Sequence, residues 1–124
     1  MTLLAFSLVN IAVQPAITDE IIAALVTSCQ IGETAAIGQL YDVYADRLYR
    51  YLLARVGNSD TAADLTTELF LWVIKSIGAF RLKWDRPAAT VSAWQYRIAV
   101  NLIAEHYRAR RRVPWLGLAD GPVG

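Results

Sequence analysis

Arg81, Lys83 and Arg86 crowd around Trp84, and a later stretch sets Trp94, Arg97, Asn101 and Arg108 at spacings that return to one side of a helix. Arg110, Arg111 and Arg112 follow directly. Cations track phosphates and aromatic rings stack on unpaired bases, so this mixture suits single-stranded or melted DNA. A loop of such residues can also enclose a base turned out of its stack. A plainer reading makes Trp94 and Tyr96 core residues and the terminal arginines ordinary cations at the negative end of a helix. Four arginines between Arg108 and Arg112 exceed what capping a dipole requires.

A second constellation lies upstream. At 100° per residue, Asp64, Glu68 and Lys75 fall within about 40° of one another, with Leu71 in the same stripe. Leu65, Leu69, Phe70, Trp72, Val73, Ile74 and Ile77 fill nearly all the rest of that helix. One reading is a central helix that exposes a thin solvated strip. The other is an acidic patch, Asp64 and Glu68 one turn apart, flanked by apolar residues and suited to a basic partner helix.

The charge balance separates these regions. The 124 residues carry 12 Lys and Arg against 11 Asp and Glu, a formal charge of +1 that hides a dipolar chain. Residues 1–74 hold three Arg and eight acids, net −5; residues 75–112 hold nine bases and two acids, net +7. Such asymmetry points to a polyanionic partner for one half only. The composition, 56% hydrophobic and 19% charged, excludes a disordered polyelectrolyte, and the length is that of one domain. Cys29 and His106 are single and far apart, which leaves no zinc ligand set, no Cys/His arrangement and no other catalytic constellation. No enzyme, metal or cofactor is expected. Cys29 reads as a small core residue in a reducing compartment.

Four helices must position these groups. Asp19 to Gln30 has helical periodicity, begins at first-turn acids and stops at Gly32. Glu33 to Val56 carries apolar and aromatic residues at steps of three and four and ends at Gly57-Asn58. Ser59 or Asn58 caps a third helix from Asp60 to about Ala79. Residues 79–88 read as a loop because of Pro87, and Thr90 or Ser92 caps a fourth helix to about Arg112. No segment alternates with period two, so the fold class is all-α, a small bundle. The expected domain is 18–112, flanked by an apolar extension, 1–17, and a short tail, 113–124. The extension lacks the basic start of a secretory signal, and no membrane insertion is expected.

In order, Ile37-Gly-Gln-Leu-Tyr-Asp-Val-Tyr-Ala-Asp-Arg-Leu-Tyr-Arg-Tyr51, Ala63-Asp-Leu-Thr-Thr-Glu-Leu-Phe70, Ala93-Trp-Gln-Tyr-Arg-Ile-Ala-Val-Asn-Leu102 and Tyr107-Arg-Ala-Arg-Arg-Arg112 resemble region 2 of bacterial sigma-70 family RNA polymerase sigma factors. The likeness is greatest to the extracytoplasmic-function (ECF) group and covers about residues 19–112. It implies a cytoplasmic protein of transcription initiation. Asp64, Leu65, Glu68 and Phe70 would bind the coiled coil of the largest subunit of core RNA polymerase. Trp94, Arg97, Asn101, Arg108, Arg111 and Arg112 would contact the promoter −10 element, and the loop with Arg81, Lys83, Trp84 and Arg86 would capture a base. An anti-sigma factor is a further partner class that the resemblance brings with it.

Two departures accompany the likeness. Val100 holds a position that is often basic in the family, and the loop has Trp and Lys where a Gly-rich stretch is more usual. The family also carries a helix-turn-helix domain that reads the −35 element, for which the twelve residues after Arg112 leave no room. The alternative expectation is therefore a polymerase-binding module that does not initiate, or a degenerate sigma fragment.

Overall fold

The computed structural model of the protein describes residues 17–83 and 85–112, with Arg112 by its backbone alone. Among these residues the chain forms four α-helices and no strand: α1 (Asp19–Gln30), α2 (Thr34–Val56), α3 (Ser59–Ser76) and α4 (Pro87–Arg112). A single 3-10 turn, Ile77–Ala79, continues α3 toward the loop. The all-α bundle expected from periodicity is the fold observed. No helix among the described residues is long and apolar enough to cross a membrane. The extension up to residue 16, the tail, Trp84 and the Arg112 side chain lie outside the described residues.

Local chemistry sets the helix ends. Thr18 Oγ1 accepts the Ile21 N–H at 3.2 Å, and Asp19 and Glu20 occupy the first turn of α1. At its other end Gly32, at φ 88°, allows Gly32 N to bond Cys29 O and Glu33 N to bond Ser28 O. This paired closure satisfies carbonyls the helix would leave open. Asn58 Oδ1 caps α3 by accepting from Thr61 N at 2.8 Å, which selects Asn58 over Ser59 as the cap.

The fourth helix starts earlier than expected, at Pro87 rather than beyond Thr90 or Ser92. Proline is barred from a helix interior, but its missing N–H costs nothing at the first helical position. Its restriction on the preceding residue falls on Arg86, which acts as the cap: Arg86 O accepts from Thr90 N at 3.0 Å and from Thr90 Oγ1 at 2.7 Å. The loop is correspondingly shorter, Phe80 to Arg86.

The core lies where the four helices meet. In α2 the buried residues Ala36, Leu40, Tyr44, Leu48 and Leu52 recur every four positions, a ridge that winds round the helix. It lets α2 touch α1, α3 and α4 in turn. Ile22 and Val26 from α1, Leu69 from α3 and Val91 and Ala99 from α4 complete a dry centre. Each fully buried Leu or Ile is worth roughly 2 kcal/mol. Gln95, fully buried in α4, departs from this pattern, because among the described residues neither its Oε1 nor its Nε2 has a hydrogen-bond partner. Buried Cys29 fits its reading as a core residue, and desolvation, with Glu33 adding to it, pushes its thiol above the ordinary value.

Candidate functional site

Helix α3 turns Asp64 and Glu68 outward and both are exposed. Leu71 and Trp72 continue the outer face, about half exposed at 51% and 50%, and Lys75 Nζ lies 5.6 Å from the centre of the Trp72 ring. Ile74 is also exposed. The face is thus acidic toward the N-terminal half of α3 and apolar toward its C-terminal half.

Leu65 and Phe70 stand elsewhere. They are 7% and 6% exposed, turned into the core, and the Phe70 ring packs 4.8 Å from that of Tyr41 on α2. In this conformation they anchor α3 from beneath and present little surface. The exposed apolar residues beside the acidic pair are Leu71 and Trp72. The exposure of Leu71 has a sequence signal, since it shares the Asp64–Glu68 stripe; Trp72, which periodicity groups with the apolar side, stands one turn after Glu68.

The basic half forms a cleft of about 540 Å³ between the loop and α4. Its walls are Phe80, Lys83, Arg86, Thr90, Trp94 and Arg97. Phe80 and Trp94 stack with centroids 4.2 Å apart and planes 20° from parallel. Trp94 is half-buried: one face packs on Phe80 while the ring still lines the cleft. Tyr96 is packed edge-on against Tyr51, with centroids at 4.9 Å, as the structural reading of that residue expects. Phe80 was not singled out by sequence, where an apolar residue among cations is its only signal.

Asn101 and Arg108 do not join this cleft. They line a second groove of about 370 Å³ between α3 and α4, together with Glu68, Trp72, Ile98 and Glu105. Arg108 donates from Nη2 and Nε to Glu105 Oε1 at 2.6 and 3.2 Å, a pair about half exposed on each side. Arg81, Arg111 and the apolar Val100 are exposed on the surface. The residues grouped as one basic surface are therefore divided. Lys83, Arg86, Trp94 and Arg97 share the cleft, while Asn101 and Arg108 sit at the seam with the acidic helix.

Sigma-70 region 2 matches residues 40–113, more than half of the chain. The ECF RNA polymerase sigma factor BldN of Streptomyces coelicolor is 44% identical over 87 residues, which cover 70% of this chain and 31% of BldN. SigW of Bacillus subtilis, also an ECF sigma factor, is 29% identical over 64% of this chain and 40% of its own length. SigE of Mycolicibacterium smegmatis, a third, is 33% identical over 66% of this chain and 31% of its own. The chain thus spans about a third of the length of the curated relatives it matches. No solved structure matches it. The matched stretch runs from the second turn of α2 through α3 and the loop to the end of α4, the elements that carry both faces just described, and the chain belongs to the Sigma-70 region 2 family.

Proposed function

We propose that this protein acts in DNA-templated transcription initiation in the cytoplasm, binding core RNA polymerase through α3 and the promoter −10 element through the loop and α4. Residues 18–112 are the working domain. The observation that carries the reading is the Phe80–Trp94 cleft, ringed by Lys83, Arg86 and Arg97. It is large enough to admit an unstacked base, its rings offer a stacking surface, and its three cations suit the flanking phosphates. Asp64 and Glu68 on the neighbouring helix suit a basic helix of the polymerase coiled coil, with Leu71 and Trp72 excluding water from the contact. An anti-sigma factor would act by covering either face.

Run-off transcription with purified core polymerase tests the whole reading, with or without a separate −35-binding protein. A promoter-dependent product supports initiation. Core binding without any binding of −10 single strand would instead identify a polymerase-binding module that does not initiate.

A further inference from the structure

Helix α1 precedes the stretch matched to the family and contributes no residue to either face. Its two ends nevertheless hold the two ends of the loop. At the C-terminal end, Gln30 Nε2 donates to Ile77 O at 3.0 Å and to Phe80 O at 2.9 Å. At the N-terminal end, Asp19 Oδ1 accepts from Ala88 N at 3.0 Å, which satisfies an open donor in the first turn of α4. The 12 residues of α1 form a stiff spacer of roughly 18 Å between these points, at about 1.5 Å per residue. Between its buried Ile22, Val26 and Cys29 and the rest of the core, α1 is seated by apolar contact. Its polar ends are therefore separable from its packing.

We propose that α1 is the positioning element of the base-binding cleft, with Gln30 fixing the loop at its entry and Asp19 at its exit. Gln30 grips the carbonyl of the residue whose ring stacks on Trp94, so it sets where that wall stands. Asp19 fixes the start of α4, from which Thr90, Trp94 and Arg97 project into the cleft. The loop then meets DNA already shaped, and less ordering remains to be done on binding. The proposal rests on the function proposed above.

The test uses the full chain and a short single-stranded DNA carrying a terminal fluorophore, whose anisotropy rises on binding. Gln30→Met and Asp19→Ala are each expected to weaken binding about five- to tenfold, the scale of one or two hydrogen bonds. Asp19→Asn, which keeps the accepting oxygen, is expected to stay within about twofold of the unmodified chain. Core-polymerase pull-down and the salt slope of DNA binding should not change, because no phosphate contact is removed. Equal binding by Gln30→Met and the unmodified chain overturns the proposal, as does an Asp19→Asn loss equal to that of Asp19→Ala. If Asp19→Ala fails to fold, Gln30→Met decides alone. No binding by the unmodified chain would instead overturn the proposed function, and the proposal with it.

Discussion

The outer face of α3 and the cleft beside α4 are built by different means. The α3 face is a product of one helix: residues three and four apart stand together because the helix repeats every 3.6 residues. The cleft is tertiary. Phe80 and Trp94, 14 positions apart, are brought to 4.2 Å by a loop, and Lys83, Arg86 and Arg97 reach it from both sides. A surface of the first kind tolerates loss of a neighbour and depends on the charge it displays. One of the second kind depends on placement and can be lost without touching a contact residue. The groove with Glu68, Trp72, Asn101 and Arg108 is where they adjoin.

The largest effect expected is on the α3 face. Asp64→Arg with Glu68→Arg should abolish pull-down of core polymerase, since two attractive charges become two repulsive ones, and leave single-strand binding intact. Next, Trp94→Ala should weaken binding of a −10 single strand by about tenfold or more in a fluorescence titration, at about 1–3 kcal/mol per stacked base. Arg97→Ala should lower the salt slope of that binding by about 0.7 if one phosphate contact is lost. In both variants core-polymerase pull-down should remain.

Away from both regions, Gln95→Met should raise stability by about 1 kcal/mol. It replaces a buried side chain whose two polar atoms find no partner among the described residues with an apolar one of similar shape. A thermal melt should show this as a rise of several degrees. The smallest effect concerns Tyr44. Burial, with a contribution from Asp19, pushes its hydroxyl above the ordinary value of 10.0, against the opposing effects of Ser92 and Arg47. The folded state thus holds the proton more tightly than the unfolded chain. Its contribution is fully present below pH 10.0 and is lost as pH rises through the higher folded value. Tyr44→Phe should flatten the alkaline fall in stability seen in pH-dependent melts.

What could be read from sequence follows the same division. The four helices, the exposure of Asp64 and Glu68 and the start of α1 at Asp19 follow from periodicity and capping, which are local. Leu65 and Phe70 shared their motif with the acidic pair, yet motif membership does not say which side of a helix faces the core. Phe70 meets Tyr41 of α2 there, a tertiary matter. The start of α4 was displaced for a different reason: Pro87 is a breaker inside a helix and a good first residue at its edge, and only the chain's path decides between them. The ties from Gln30 to Phe80 and from Asp19 to Ala88 join residues 50 and 69 positions apart, and no pattern in a single sequence announces them.

The central claim is that the two regions serve different partners, and a crossed measurement on one pair of variants tests it most directly. The Asp64→Arg, Glu68→Arg double variant and Trp94→Ala are each assayed for core-polymerase binding and for −10 single-strand binding under one salt condition. The account predicts that the first loses only the polymerase and the second loses only affinity for DNA. Parallel loss of both activities in both variants, with helicity and melting temperature unchanged, would contradict it.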